Sequence, residues 1–389
     1  MLRNRRETLF SFSLLLGSLL LGAGLIEVGI RLFTAQIYEV HPNGLWRLSK
    51  TLGCRMTPGF DGTHVTPEFR VRVRISEQGL RDRVYGPKRP GRFRVLALGD
   101  SFTFGFGVDA EDAYPKQLER LLRANRRGSE YDVINAGAPG YATNQELQYL
   151  KEDGLAYQPD LVLIGFFVAN DVKGNLLPPD RFTLVGGYLY DKQAYAHAVQ
   201  ENRQQPGRLP IPFKDVLWAH SYAYRFFADR YHRWLVTSGL RAPPAASPAP
   251  ASAPITGPAP APQPASAIDP EVFEVTERLL LEIVETARTH QAEVVLLLIP
   301  DIKQVNNPTG RWRAAWEELT TFAAAHHIPV IDLAPAFLDA NRAGQTPTLW
   351  FMANKHWTAA GHRLAATLIY RALVQQRLIP AVNRERASG

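Results

Sequence analysis

The sequence predicts an α/β protein, a three-layer, doubly wound parallel sheet preceded by one apolar helix. Three observations carry this. Strand-like apolar runs at 93–98, 132–135, 161–167, 293–299 and 329–332 alternate with helix-like stretches at 111–127, 143–155, 270–291, 311–326 and 358–376, and such alternation produces a parallel sheet with helices on both faces. The first run ends in Gly-Asp-Ser at 99–101, at the carboxyl edge of the predicted sheet, where open α/β sheets bind ligands. Ahead of everything, residues 9–26 form an uncharged, leucine-rich stretch.

That stretch is just long enough to cross a hydrocarbon core of about 30 Å at about 1.5 Å per residue. Arg3, Arg5 and Arg6 precede it, and Leu, Ile and Phe continue past Glu27 to Phe33. A cleaved secretory signal and a buried helix are the alternatives. The apolar length and the want of a small-x-small cleavage site favour an uncleaved anchor over residues 1–34. Its basic flank keeps the amino terminus in the cytoplasm, so that the rest faces the periplasm or the exterior. The inner membrane is then one partner.

Residues 35–90 are expected to lead from the membrane to the core, with a short alternating run at 69–75 as an edge strand or hairpin arm. The main domain follows over 91–380, interrupted by an insertion at 174–270. Its first part, 174–240, is an aromatic-rich cap with Tyr188, Tyr190, Trp218, Tyr222, Tyr224, Phe227, Tyr231 and Trp234. These rings suit a lid or an acceptor wall for sugars, but the better expectation is an amphipathic helix over 218–234 that packs its aromatics on the core. Residues 242–267 are almost entirely Ala, Pro and Ser, a composition expected to form an extended, mobile loop.

Composition narrows the classes. With 389 residues, 46% hydrophobic and 21% charged, the chain can bury one substantial core. The formal charge is +7, yet no basic block interleaved with aromatics points to nucleic acid. The single Cys54 excludes an internal disulfide and reads as a passive residue. His326, His327 and His362 have no metal-ligand spacing, so neither metal nor cofactor is expected. Asp100 and Asp171 read as local turn acceptors.

Residues 99–108 read Gly-Asp-Ser-Phe-Thr-Phe-Gly-Phe-Gly-Val, 133–141 Val-Ile-Asn-Ala-Gly-Ala-Pro-Gly-Tyr, 161–171 Leu-Val-Leu-Ile-Gly-Phe-Phe-Val-Ala-Asn-Asp, and 354–365 Asn-Lys-His-Trp-Thr-Ala-Ala-Gly-His-Arg-Leu-Ala. Together and in this order they resemble the four blocks of the SGNH (GDSL-type) hydrolase superfamily. The resemblance covers the sheet-forming parts of 91–172 and 271–377. It implies a flavodoxin-like strand order and a serine nucleophile, Ser101, whose own N–H helps hold the oxyanion. Gly137 would supply a second backbone donor and the Asn170 side chain a third. His356 would take the proton from Ser101 and return it to the leaving group.

One position departs from the pattern. The family usually places an aspartate two or three residues before the histidine, and here Asn354 and Ala353 stand there. An asparagine oxygen can orient the imidazole but brings no negative charge. Asp332 and Asp339 lie upstream as substitutes in principle, although Asp332 reads more simply as a strand end. Whether Ser101 and His356 work as a dyad, as a triad with Asn354, or not at all stays open at this point.

The function expected is a serine esterase or deacylase acting outside the cytoplasm on an acetylated carbohydrate or a small ester, through an acyl-Ser101 intermediate. The nearest alternative is an O-acetyltransferase modifying an exopolysaccharide or envelope glycan, which would require a membrane acyl-transport partner. A noncatalytic envelope-binding protein on a hydrolase fold is the third.

Overall fold

The computed structural model describes residues 2–34, 42–125, 130–204, 217, 221–238, 270–307 and 312–380. They fall into two compact units, one drawn from Met1–Val40, Val65–Pro67 and Ala194–Ser247, the other from His41–His64, Glu68–Gln193 and Pro248–Gly389.

The larger unit opens with an antiparallel hairpin, β1 (Trp46–Ser49) and β2 (Gly53–Met56), and a second strand pair, β3 (Asp61–Val65) and β4 (Arg70–Arg74). β4 is the alternating run of the sequence: Arg70, Arg72 and Arg74 are exposed and Val71 and Val73 buried, as a pleat with one wet face requires. The central sheet follows, with β5 (Arg92–Gly99), β6 (Glu130–Gly137) and β7 (Leu161–Phe167), a hairpin of β8 (Phe182–Val185) and β9 (Tyr188–Asp191) outside it, and then β10 (Glu293–Ile299) and β11 (Val330–Asp332). The order is β6-β5-β7-β10-β11, all parallel. This is the expected flavodoxin-like order, and it puts the topological switch point at the carboxyl ends of β5 and β7.

Successive residues of each strand feed two separate cores. Val95, Val133, Leu163 and Val295 join one, with Leu118 and Leu122 of helix Tyr114–Asn125 and Ala366 and Ile369 of helix Ala359–Gln375. Leu96, Ile134, Val162 and Leu296 join the other, with Leu147 and Leu150 of helix Thr143–Glu152 and Leu280 and Ile283 of helix Pro270–Thr289. Burial on both faces is why these strands read as unbroken apolar runs.

The segment expected only to lead to the core is built into it. Leu45, Leu52, Met56 and Leu80 belong to the same buried cluster as β5 and β6. Arg83 ties this segment to the sheet through Asp132 of β6 and Glu119, each at 2.9 Å. Asp132 also accepts from Arg92 and Arg94. Burial pushes its carboxyl up, but the guanidinium hydrogen bonds of Arg94 and Arg92 outweigh burial and hold it below the usual carboxylate range. The hairpin of the insertion docks on the same segment: the Gly44 N–H donates to Gly187 O at 3.0 Å and Asn43 Nδ2 to Gly186 O at 2.8 Å. Gly186 and Gly187, with φ of +58° and +84°, close it as a two-residue turn that needs left-handed backbone twice.

In the smaller unit, helix Leu2–Thr34 contains the apolar span Phe10–Leu32, none of it buried. Among the described residues this is the one helix long and apolar enough to cross a membrane. Its Glu27 caps helix Tyr222–Thr237, accepting from Ser221 Oγ at 2.8 Å and from the N–H groups of Tyr222 and Ala223 at 2.9 Å each; a carboxylate at a helix amino end satisfies orphan donors and the dipole together. A helix thus stands over the described part of the 218–234 stretch, but three of its aromatics are exposed where packing on a core was expected. Phe227, Tyr231 and Trp234 recur at four- and three-residue spacing, so they share a face, and that face is open, at 56%, 39% and 55% exposure. Trp218 and the Ala/Pro/Ser loop of 242–267 lie outside the described residues.

Candidate active site

The turn that carries Ser101 rests on a floor of glycines. Gly99, Gly137 and Gly165 are in register across β5, β6 and β7, and the one-turn helix Ser101–Phe104 lies against them. A Cβ on Gly137 would stand 2.3 Å from Phe104 N, and one on Gly165 2.6 Å from Thr103 Oγ1. Gly99 has φ +152°, and a Cβ there would stand 2.0 Å from the same hydroxyl. Only this row lets the helix start at the sheet edge with Ser101 as its first residue. Asp100 caps it, its Oδ1 accepting the Phe102 N–H at 2.9 Å.

Two further groups fix the turn. Thr103 Oγ1 and the Tyr114 hydroxyl share a hydrogen bond of 2.9 Å. Arg81, 1% exposed, donates to Gly105 O at 2.6 Å, Val108 O at 2.7 Å and Phe104 O at 3.2 Å. A buried guanidinium is tolerated because it satisfies carbonyls that would otherwise be orphaned.

The histidine arrives from the far end of the chain. His356 Nε2 lies 2.7 Å from Ser101 Oγ, and His356 Nδ1 lies 2.5 Å from Asn354 Oδ1 and 3.2 Å from Asn354 O. Both Asn354 oxygens accept only, so Nδ1 carries the proton and Nε2 is left to accept from the serine hydroxyl. The ring lies between Phe102 and Phe106, with centroids at 5.0 and 4.6 Å. Burial in this setting pulls His356 down to about 4, against the backbone hydrogen bond of Asn354. The imidazole is therefore neutral at rest, the form a general base needs.

Ser101, His356 and Asn354 thus converge. The other two expected residues sit at the same sheet edge with their donors engaged internally: the Gly137 N–H donates to Asn135 Oδ1 at 3.1 Å, and Asn170 Nδ2 to Tyr141 O at 2.6 Å and Asp100 Oδ2 at 3.4 Å. Asp100 is buried and pushed up to about 7 by desolvation, despite the hydrogen bonds from Phe102 and Asn170. Asp171 accepts from the Phe167 N–H at 2.7 Å, a local acceptor like Asp100. Asp332 accepts from Trp316 Nε1 and the Ala334 N–H, and Asp339 pairs with Arg342, so neither takes the place of the missing acid. His362 is buried and accepts from the Tyr114 N–H through Nδ1. Among the described residues no three His, Cys, Asp or Glu side chains converge as metal ligands.

Two residues at the site escape sequence reasoning, Arg81 and Glu68. Glu68 accepts the N–H groups of Ala353 and Asn354, each at 2.8 Å, across 285 and 286 residues of sequence. No local pattern marks a contact that distant.

Residues 97–364 match the profile of the GDSL-like lipase/acylhydrolase family, a span that contains Ser101, Gly137, Asn170, Asn354 and His356. The chain belongs to this family. Membership places it among ester hydrolases and gives it the SGNH hydrolase fold. An acetylxylan esterase of Xylanibacter ruminicola is 31% identical over 123 residues, which are 30% of this chain and 23% of that protein; the chain spans less than a quarter of that relative's length. Among solved structures, the chain is similar to a two-domain esterase active on acetylated mannans, at 14% identity and TM-score 0.42 over 75% of this chain and 52% of that one. An acetyl xylan esterase matches at 14% identity and TM-score 0.40 over 72% and 100%. The lipase/acylhydrolase of Enterococcus faecalis matches at 17% identity and TM-score 0.39 over 73% and 96%.

Proposed function

We propose that the protein is a serine esterase that removes acetyl groups from an acetylated carbohydrate outside the cytoplasm, held at the inner membrane by the span Phe10–Leu32. The observation that carries the catalytic part is the hydrogen-bonded series from Ser101 Oγ through His356 to Asn354 Oδ1, at 2.7 and 2.5 Å. In this reading Ser101 Oγ attacks the acyl carbon as its proton passes to His356 Nε2. The oxyanion gathers the Ser101 N–H, the Gly137 N–H drawn from Asn135 Oδ1, and the Asn170 amide drawn from Asp100; exchange of weak internal partners for a developing charge is the ordinary behaviour of such donors. His356 then protonates the departing sugar oxygen, which leaves as the alcohol. Water deprotonated by the same nitrogen attacks the acyl-serine, His356 returns that proton to Ser101 Oγ, and acetate leaves.

Asn354 holds the imidazole in the working tautomer without a counter-charge, so the imidazolium formed in each transition state is balanced by dipoles alone. The membrane part of the reading is supported by the exposed apolar helix and the arginines ahead of it, and the acetylated-carbohydrate part by the acetylxylan esterase relative. The test is acetate release from acetylated xylan and mannan oligosaccharides by the full chain in detergent. Turnover that falls on the order of 1,000-fold or more in Ser101→Ala is expected. Turnover unchanged by that substitution would remove Ser101 from the chemistry.

A further inference from the structure

The geometry points to Glu68 as a positioning residue for the reaction, one that aims Asn354 at His356 from a separate part of the chain. The inference rests on the catalytic reading of Ser101, His356 and Asn354. It begins with the turn that carries the last two. The Phe351 N–H donates to His356 O and the Lys355 N–H to Phe351 O, each at 2.8 Å, which closes the turn on itself. Lys355 takes φ +68°, a left-handed conformation that a lysine adopts at some cost and that surrounding contacts must hold.

Closing the turn leaves the N–H groups of Ala353 and Asn354 pointing out of it. Glu68 receives them one on each carboxylate oxygen, Oε1 from Ala353 and Oε2 from Asn354, both at 2.8 Å. Charged acceptors make the stronger class of such bonds. The next residue grips the same turn by packing: the Phe69 ring lies 5.2 Å from that of Phe351 and 5.8 Å from that of Phe106, whose ring in turn lies 4.6 Å from that of His356. Residues 68 and 69 therefore hold the histidine turn on a polar and an apolar side at once.

The consequence is chemical because of what Asn354 is. An aspartate on the turn would be drawn to the imidazolium by its own charge, whereas a neutral amide has no such pull and depends on its backbone being fixed. Glu68 fixes that backbone two bonds from the Asn354 side chain. It also brings to the histidine turn the formal negative charge that the turn itself lacks at 353 and 354.

The deciding measurement is a double-mutant cycle on the full chain, read as the rate constant for phosphonylation of Ser101 by a fluorophosphonate. Glu68→Ala is expected to slow labelling on the order of 10- to 100-fold, the usual loss when a catalytic group is misplaced by about an ångström. Made in the Asn354→Ala background, the same substitution is expected to cost less than about 3-fold, because no side chain is left to aim. Equal losses in both backgrounds would make Glu68 a general support of the fold, and no loss in either would remove it from the site; both outcomes overturn the assignment. The proton on His356 Nδ1, followed by NMR, is a second readout that needs no reactive serine. A protected downfield resonance that is lost in Glu68→Ala supports the inference, and one that is unchanged contradicts it. Wild type that shows this resonance but takes no label would sink the esterase reading, while the NMR comparison still decides the role of Glu68.

Discussion

In the proposed reaction His356 has to be basic enough to take the Ser101 proton while it is sealed between two phenylalanine rings and faced by an uncharged asparagine. Burial, with a smaller push from His64 and against the backbone hydrogen bond of Asn354, brings it to about 4, and its Nδ1 hydrogen-bonds only the uncharged oxygens of Asn354. The sign of the pH dependence follows. The base works when neutral, so activity persists as pH falls and is lost only on protonation. The kcat/KM profile for an acyl ester is expected to stay level from neutral pH down to about 5 and to fall toward about 4. Asn354→Asp would place a carboxylate on the Nδ1 proton and favour the imidazolium, so its acid limb should move toward neutral pH with a higher plateau. An acid limb near 6.5 in wild type, unmoved by Asn354→Asp, would show that burial and the asparagine do not set the basicity.

The glycine floor shows how elements, more than single residues, make the site. A methyl at Gly137 meets the backbone nitrogen of Phe104 at 2.3 Å, a partner that cannot swing aside as a flexible side chain would. Gly137→Ala is expected to destabilise the unit by about 1–3 kcal/mol and to reduce esterase activity further than the lost folded fraction explains, because Ser101 moves with the helix. Thermal melts set beside activity per folded molecule check this. The strand candidates, the five helices and the Gly-Asp-Ser edge were legible in the sequence because apolar runs and turn residues are local signals. The convergence of Ser101, Asn354 and His356 was legible because each sits in a compact motif. β1, β2 and the seating of the lead-in segment were not, since short strands with mixed burial leave little pattern and the contacts of Arg81 and Glu68 are remote in sequence. The β8–β9 hairpin did carry a usable signal, Gly186-Gly187 between alternating apolar residues, that the aromatic content of the insertion obscured. The exposure of Phe227, Tyr231 and Trp234 was missed for a related reason: spacing reveals a shared face but not how deeply it is buried.

At the scale of the whole molecule, the account joins a GDSL-like ester hydrolase to an apolar amino-terminal helix. The full chain is expected to sediment with membranes, to resist extraction by alkaline carbonate and to be released by detergent, with residues beyond 42 open to protease added from outside the inner membrane. Release without detergent, or protection from that protease, would contradict the anchored, outward-facing arrangement. The Glu27 carboxylate also caps helix Tyr222–Thr237 of the same unit, a contact separate from the proposed anchoring. The central claim remains that Ser101 is a nucleophile activated by a neutral His356 that Asn354 orients. It is tested most directly by exposing the full chain to a fluorophosphonate and mapping the adduct by mass spectrometry, in wild type, Ser101→Ala, His356→Ala and Asn354→Asp. The account predicts one adduct, on Ser101, that disappears in the first two variants and forms faster in the third; folded wild type that stays unmodified, or an adduct on any other residue, would contradict it.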